Sequence, residues 1–409
     1  MSQTAVHELA VNGGTPVRTK PFPSWPIFDD TERRGLLRAL ESGSWGGRRE
    51  PSPGEVTSFE AEFAEFNEAP AALAVTNGTH AVQLALDLSG VKPGDHVLLP
   101  ALTPIPTSNA VRQRGAIPIP VDVDPHTWCL DPGRLEQART DRVTAVVVVH
   151  LSGHLADMDA ILQWAAPAGI AVIQDAAHAH GAQWKGRGIG AFGTIATFSF
   201  MQSKVMTAGE GGAILLPDGD RYQEAFSQHC LGRTYDGGFS FETASSNYRL
   251  GEFAAAVLRG QLGRSAEQNA RREQRWKELA ELVAQIPGVT AQGRDPRCTL
   301  DPHYVAALEF DSQPHDDVSR ETIVTALRAE GILVNFMNDP IYRLQAFWDG
   351  PTHPATLDAD QLAESCPHSE RLGAWAVNLP HRMLLGEPRD VQDIAEALAK
   401  VLGALTVSS

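Results

Sequence analysis

Short runs of apolar residues recur along the first half of the chain, and helix-like or turn-rich segments separate them. The runs are continuous rather than alternating, and several are rich in Val and Ile. Such runs are typical of strands buried on both faces of a mainly parallel sheet, in which ligands bind at the carboxyl ends of the strands. The pattern therefore predicts an α/β fold with strands at ALAVT (72–76), HVLLP (96–100), IPIPVDV (117–123), TAVVVVH (144–150) and IAVIQDA (170–176).

The pattern changes on either side of this region. Residues 1–50 are rich in Pro, Gly and Trp and predict an irregular N-terminal arm with one short helix near Thr31–Ser42. Residues 51–250 contain the apolar runs and are expected to form a large domain. A long helix over 251–290 is predicted to link it to a smaller α+β C-terminal domain over 291–409, where short strands and helices are mixed.

The charge balance argues against nucleic acid and membranes as partners. The chain of 409 residues has 34 Lys and Arg against 50 Asp and Glu, a formal net charge of −16. Such a surface repels nucleic acid and anionic lipid unless a basic patch is segregated from it, and the stretch Arg271–Lys277 is interpreted as a solvated helical face. No apolar run approaches the roughly 20 residues that a membrane-spanning helix needs.

The cysteines argue against a metal or redox site. Cys129, Cys230, Cys298 and Cys366 lie far apart and lack CxxC spacing, so we expect free thiols and no metal. The N-terminal residues lack the basic start and apolar core of a signal peptide. A cytoplasmic location is therefore expected.

Asp175 follows directly after a predicted buried strand. Removing an unpaired carboxylate from water costs several kcal/mol, so this residue needs a cationic partner. The protonated nitrogen of a pyridine ring would meet that need and would let the ring take up the electrons of a carbanion. The alternative is that Asp175 caps a following helix.

Lys204 lies between the apolar run ATFSF (196–200) and the glycine-rich turn AGEGG (208–212), at the mouth of the predicted sheet. A lysine in a partly dry site has a lowered pKa, and its neutral amine can form an imine with an aldehyde. A lysine in a loop is more often a solvated surface charge. Lys204 is therefore interpreted together with Asp175 and not by itself.

A phosphate site is indicated by the turn Thr76–Thr79, which precedes a predicted helix, and by Ser199. Backbone N–H groups and hydroxyls at a helix N-terminus bind phosphate, although the same turn could simply join a strand to a helix. The segment GIGAFG (188–193) matches the GxGxxG pattern of dinucleotide-binding sites. It precedes a predicted strand instead of opening a helix, so we discount it.

Eight blocks in order along the chain resemble the DegT/StrS family of sugar and cyclitol aminotransferases, which depend on pyridoxal 5′-phosphate (PLP). The resemblance covers nearly the whole chain and implies the aspartate-aminotransferase-like PLP fold. The blocks are LAVNGGTPVR, AVTNGTHAVQLAL, VKPGDHVLLPALT, PVDVDPHTWCLDP, HLADMDAI, QDAAHAHGA, SFMQSKVMTAGEGGAI and SNYRLGEFAAAVL.

This resemblance implies roles for three residues around the cofactor ring. Lys204 is the lysine that forms the Schiff base, and Asp175 is the partner of the pyridine nitrogen. His178 is expected near the phenolic oxygen or the ring face; without the resemblance it could equally be a satisfied helix histidine.

The resemblance also implies how the phosphate is held. Gly78, Thr79 and Ser199 resemble the residues that bind it within one subunit. Asn247 resembles an asparagine that reaches the phosphate of the neighbouring subunit. A homodimer with active sites shared between subunits is therefore expected.

Two positions distinguish this chain within the family. The dehydratase branch has histidine where Lys204 stands, so lysine favours amino transfer. Pro104 stands where many relatives carry an aromatic residue that stacks on the PLP ring, which puts that stacking in doubt. One branch of the family, the amino-hydroxybenzoate synthases and glutamine-dependent cyclitol aminotransferases, is resembled in the segments SWPIFDD and SGSWGG and in the tail from Ile341. This resemblance implies a role in antibiotic biosynthesis.

The expected reaction moves an amino group from L-glutamine or L-glutamate to a ketone on a cyclitol or keto-sugar. One alternative is dehydration and aromatisation of an amino-cyclic acid, as in the amino-hydroxybenzoate synthases. Another is a non-catalytic PLP-binding sensor or assembly protein. Tyr342, Arg343, His381 and Trp45 are candidates for binding the acceptor, but each could equally be a core or surface residue.

Overall fold

The computed structural model describes residues 8–46, 54–234, 241, 243–311, 318–349 and 357–406. Seven strands form a large sheet in the order β1-β9-β8-β5-β4-β2-β3. Strand β9 is antiparallel to both neighbours, whereas the pairs from β8 to β3 are parallel. The predicted mainly parallel sheet is thus confirmed. The strands of this half of the chain are β1 (Ala71–Val75), β2 (His96–Pro100), β3 (Ile117–Val121), β4 (Val143–Val149), β5 (Ala171–Asp175), β6 (Gln183–Trp184), β7 (Arg187–Gly188), β8 (Ile195–Ser199) and β9 (Gly212–Leu216).

Both faces of the large sheet are buried, as its continuous apolar runs predict. Val97 and Leu99 of β2 pack into one apolar cluster, and Leu98 between them packs into another. Val146 and Val147 of β4 divide between the same two clusters. Successive side chains of a strand point to opposite faces, so an unbroken apolar run supplies both layers of core.

Helices cover the sheet, and several of them begin after a residue whose side chain caps the helix. Asp29 accepts a hydrogen bond from Thr31 N at 2.7 Å, and Glu32 accepts one from Asp29 N at 3.0 Å, a capping box that starts the first helix. The helices are α1 (Asp30–Glu41), α2 (Glu55–Phe66), α3 (Gly78–Leu88), α4 (Ile105–Gln113), α5 (Leu135–Ala138), α6 (Met158–Ala165), α7 (Gly219–His229), α8 (Glu252–Val283), α9 (Arg320–Ala329), α10 (Gln345–Trp348), α11 (Ala359–Ser365), α12 (Pro367–Trp375) and α13 (Pro388–Thr406).

The last third of the chain, which we call the C-terminal domain after the prediction, contains an antiparallel sheet of four strands in the order β10-β12-β14-β13. Helix α8 contacts α1, α2 and α13, so it connects this domain to the rest of the chain. A further strand, β11, pairs with β6 of the first half. These strands are β10 (Val289–Ala291), β11 (Cys298–Leu300), β12 (Val305–Phe310), β13 (Asn335–Phe336) and β14 (Ala376–Pro380). None of the described helices has the length and apolar character needed to cross a membrane.

Candidate active site

A cavity of about 410 Å³ opens where β4, β5 and β8 end. Val149, Asp175 and Ser199, the last residues of these strands, line it together with Gly78 at the start of α3. Tyr304, which precedes β12, closes it from the C-terminal domain. This is the carboxyl edge of the parallel strands, where ligands are expected to bind.

Asp175 is buried, and its hydrogen bonds come from neutral groups. Thr107 Oγ1 donates to Oδ2 at 2.7 Å, and Ala177 N donates to Oδ1 at 3.2 Å. Burial raises the pKa of this carboxyl, which the two hydrogen bonds and the charge of Lys204 offset only in part. Turns follow Asp175, so the alternative that it caps a helix is wrong. No ion pair to Asp175 forms among the described residues, which leaves its need for a cation unmet.

Lys204 is 7% exposed, so the alternative of a solvated surface charge is wrong. It lies in the turn after β8 and lines the cavity. Its Nζ lies 4.5 Å from the centre of the Tyr304 ring. Burial lowers the pKa of its amine to about 8, against a smaller raising effect from Asp175. A fraction of this lysine is therefore a neutral nucleophile near physiological pH, a far larger fraction than for an exposed lysine.

His178 lines the cavity as a neutral imidazole. Burial, and then the charges of Lys204 and His180, hold its pKa well below the usual value. Its ring stacks on Tyr304, with ring centres 4.2 Å apart. Its Nδ1 is buried and has no hydrogen-bond partner among the described residues. A buried unpaired nitrogen calls for a ligand atom, and a phenolic oxygen would satisfy it.

A cradle for a phosphate is formed by the start of α3 and the end of β8. Asn77 caps the helix by accepting from His80 N at 2.8 Å, and the N–H groups of Gly78 and Thr79 belong to the first turn, which has no partners within a helix. A Cβ on Gly78 would lie 2.7 Å from Ser199 Cβ, so only glycine permits this approach. These three features fit PLP. The Asp175 carboxylate, which lacks a cationic partner, suits the ring nitrogen; His178 Nδ1 suits the phenolic oxygen; and the cradle suits the phosphate.

The profile of the DegT/DnrJ/EryC1/StrS aminotransferase family matches residues 29–399. The chain belongs to this family. The resemblance seen in its sequence blocks is confirmed, and with it the PLP fold, PLP as the cofactor and aminotransferase as the enzyme class. Membership of an enzyme family argues against the non-catalytic alternative.

Proteins similar to this DegT/StrS aminotransferase include an amino-hydroxybenzoate synthase and glutamine-dependent cyclitol aminotransferases. The chain is 44% identical to 3-amino-5-hydroxybenzoate synthase of Amycolatopsis mediterranei, over 93% of this chain and 98% of that protein. It is 35% identical to L-glutamine:2-deoxy-scyllo-inosose aminotransferase of Micromonospora echinospora, over 96% and 97% of the two chains. The crystal structure of a 3-amino-5-hydroxybenzoic acid synthase superposes with a TM-score of 0.88 at 43% identity, covering 95% of this chain and 99% of that one.

Of the candidate site residues in this aminotransferase, Asn247 is the one outside the cavity. It is exposed, and its Oδ1 accepts a hydrogen bond from Arg249 N at 3.2 Å. The other six line the cavity: Gly78, Thr79, Asp175, His178, Ser199 and Lys204. The role of Asn247 towards a neighbouring subunit stays a prediction.

Several cavity residues of this enzyme could not be predicted from the sequence. Thr107 bonds Asp175 although 68 residues separate them, and Tyr304, Asn338 and Asn378 reach the cavity from the C-terminal domain. No local pattern marks these residues. Pro104, noted as a departure from its relatives, also lines the cavity.

The four candidates for binding the acceptor do not line the cavity. Tyr342 is 1% exposed in the apolar core, and Arg343 Nε bonds Glu370 at 2.9 Å on the surface. Trp45 is 53% exposed, and His381 packs behind Tyr304. The glycine segment 188–193 also lies apart from the cavity and opens a 3-10 turn of four residues, Ile189–Phe192.

Proposed function

We propose that this enzyme transfers the α-amino group of L-glutamine to a ketone on a neutral, hydroxylated six-membered ring such as a keto-cyclitol. The observation that carries the proposal is the buried amine of Lys204 in the same cavity as the unpaired carboxylate of Asp175. L-Glutamate and keto-sugars are the close variants of donor and acceptor. The relatives named as L-glutamine:2-deoxy-scyllo-inosose aminotransferases support this choice.

Lys204 is assigned two tasks. When bound, PLP supplies an aldehyde carbon that carries the amino group and a pyridine ring that takes up electrons. The neutral amine of Lys204 would hold that aldehyde at rest. Once displaced, the amine would remove the proton from Cα of the donor as general base and deliver it, as general acid, to the former aldehyde carbon of the cofactor.

The remaining residues would orient and hold the cofactor. Asp175 would keep the proton on the pyridine nitrogen, a pairing that also relieves the cost of its own burial. Gly78, Thr79 and Ser199 would bind the phosphate, and Nδ1 of His178 would face the phenolic oxygen. None of these interactions depends on a ring at the position of Pro104.

A neutral acceptor is supported by the cavity wall that the C-terminal domain provides. Its polar side chains include two uncharged amides, Asn338 and Asn378. Asn378 Nδ2 donates to Phe336 O at 3.0 Å, which leaves its Oδ1 free to accept from a hydroxyl. Amides suit ring hydroxyls, because both groups donate and accept hydrogen bonds.

The second candidate function is dehydration and aromatisation of an amino-cyclic acid. The 44% identity to 3-amino-5-hydroxybenzoate synthase favours it. Lys204 would serve as the base in that reaction too. The two proposals differ in substrate charge and in the need for an amino donor, so one panel of substrates separates them.

The test combines isotopic labelling with an acceptor panel. Holoenzyme is incubated with L-glutamine labelled with ¹⁵N at the α-amino group and with 2-deoxy-scyllo-inosose, a keto-sugar nucleotide or an aminodehydroshikimate-like acid. We expect the labelled amine on the neutral keto-cyclitol, detected by mass spectrometry. Glutamine labelled only at the side-chain amide is the matched control and should leave the product unlabelled.

Two outcomes would count against the first proposal. An aromatic product from the acid without any amino donor would favour the second candidate. Transfer of the amide nitrogen would contradict an α-amino mechanism. Replacing glutamine by glutamate in the same panel identifies the better donor.

We also propose that the active unit is a homodimer in which Asn247 completes the site of the partner. An apolar patch supports this: Leu37, Leu40 and Trp45 are each at least half exposed, and Trp45 packs against Phe253 with ring centres 5.9 Å apart. Trp45 O accepts a hydrogen bond from Glu252 N at 3.2 Å, so the patch adjoins the segment that follows Asn247. Contiguous exposed apolar side chains are typical of a protein interface.

Mixing two inactive variants tests the shared site. Lys204→Ala retains Asn247, and Asn247→Ala retains Lys204, so a mixed dimer has one site with both residues intact. We expect refolded mixtures to regain amino transfer, while each variant alone stays well below the mixture. Light scattering should give twice the mass of the chain. A mixture no more active than its components would exclude a contribution from Asn247 across the interface.

A further inference from the structure

Tyr304 brings one aromatic ring against both Lys204 and His178. The Lys204 Nζ lies 4.5 Å from the ring centre, and the imidazole of His178 stacks on the ring with the two planes at 25°. A cation over an aromatic face is attracted by the quadrupole of the ring. Tyr304 thus contacts the amine on which the proposed reaction depends.

The Tyr304 ring is held on two sides. Its hydroxyl and Ser203 Oγ are hydrogen-bonded at 2.8 Å, which ties the ring to the turn that carries the lysine. Behind it lies His381, with ring centres 6.3 Å apart, and Trp25 of the N-terminal arm packs edge to face on His381 at 4.5 Å. Trp25 Nε1 also donates to Gln202 O at 3.1 Å, so the arm supports both the ring and the turn.

The backbone that presents Tyr304 is strained and enclosed by a buried polar network. His303 has φ of +46°, which is uncommon for a residue with a side chain. Its Nε2 lies 2.7 Å from the Glu273 carboxylate, and its backbone N donates to Asp301 Oδ1 at 2.8 Å. Asp301 also pairs with His154 Nδ1 at 2.8 Å. Strained residues persist where the surrounding structure enforces them, and they cluster at functional sites.

We propose that Tyr304 is a positioning residue that holds the Lys204 amine at the cavity wall and stabilises its protonated form between proton transfers. This inference rests on the proposed role of Lys204. The charged and titratable groups around the amine include Asp175 from β5 and the imidazoles of His178 and His180. Glu210, from the glycine-rich turn, lines the same cavity. Burial keeps both imidazoles neutral by holding their pKa values low. The ring face and Asp175 therefore oppose the effect of burial on the amine.

The amine itself provides a readout that is independent of enzyme activity. Full-length protein freed of PLP is reacted briefly with cyanate, which modifies neutral amines, across a pH series, and modification of Lys204 is quantified by peptide mass spectrometry. The wild-type midpoint should lie at about pH 8. Tyr304→Leu should lower it by roughly half a pH unit or more, because the ring no longer stabilises the cation. Modification of Lys185, exposed on the surface, calibrates the reagent in each digest.

Tyr304→Phe is the matched variant, since it keeps the ring and removes the hydroxyl, and its midpoint should stay at the wild-type value. An unchanged midpoint in Tyr304→Leu would overturn the proposal. A raised midpoint would also overturn it, because the ring would then act only by excluding water. Should Tyr304→Leu fail to fold, Tyr304→Met, which also lacks an aromatic face, replaces it and should lower the midpoint in the same way.

Kinetics of the holoenzyme separate positioning from substrate binding. For Tyr304→Leu we expect kcat with glutamine to fall about ten- to a hundredfold, with KM nearly constant, because a misplaced amine slows proton transfer. A raised KM with unchanged kcat would make Tyr304 a substrate-binding residue and contradict the proposal. If the wild-type enzyme accepts no amino donor, the proposed function is wrong, while the cyanate midpoints still decide whether the ring stabilises the amine.

Discussion

Lys204→Ala should abolish covalent attachment of PLP and lower amino transfer by on the order of 10⁴-fold, because the variant lacks both the amine that holds the aldehyde and the base that moves the Cα proton. Borohydride reduction followed by peptide mass spectrometry should find PLP on the Lys204 peptide of the wild type and no covalent PLP in the variant. The visible absorbance band that depends on this covalent attachment should be lost in the variant.

Lys185→Ala is the matched control for loss of a lysine. This lysine lies on the surface, where Nζ bonds Asp159 at 2.7 Å, and its replacement should leave PLP attachment and turnover unchanged. A borohydride-stable PLP adduct in Lys204→Ala would mean that another lysine is the attachment site. The assignment of Lys204 would then be wrong.

Asp175→Asn should depress turnover by on the order of 10²- to 10³-fold while PLP binding is partly retained, because the amide fills the same space but cannot hold a proton on the pyridine nitrogen. Thr107 Oγ1 can still donate to the amide oxygen, so the local structure should survive. The rate of the half-reaction with glutamine and the dissociation constant of PLP measure the two effects separately.

Thr107→Val provides the comparison for Asp175. It removes the 2.7 Å hydrogen bond without removing the carboxylate charge, so its effect on turnover should be much smaller than that of Asp175→Asn. Near-normal turnover in Asp175→Asn would refute the proposed charge pairing. Equal losses in the two variants would mean that the hydrogen bond, rather than the charge, matters.

Local sequence reasoning predicted the sheet because its information is local. An unbroken run such as TAVVVVH (144–150) must bury both faces, and the structure has β4 there, packed into two apolar clusters. Asp175 and Lys204 were conspicuous for a similar reason: each follows a buried strand, where a charged side chain needs an explanation. The family blocks then linked these positions to PLP.

The C-terminal contribution to the cavity could not be predicted in this way. Tyr304 lies 100 residues beyond Lys204, and its ring meets the amine only because the C-terminal domain packs against the strand ends. The candidates Tyr342 and Arg343 lie outside the cavity for the converse reason. Their side-chain types suited hydroxyl recognition, but packing directs one into the core and the other to Glu370 on the surface.

Local patterns in the sequence predicted strands β1–β5 of the large sheet, the family that the chain resembles, and the lysine and carboxylate of the site. Strand patterns and motif order are properties of neighbouring residues, which is why they can be recognised without the fold. The tertiary structure decided that Lys204 is buried, with a pKa lowered to about 8. It also decided that Asp175 finds neutral donors and no ion pair among the described residues. Burial and long-range contact depend on distant segments meeting in space, so they become visible only once the chain has folded.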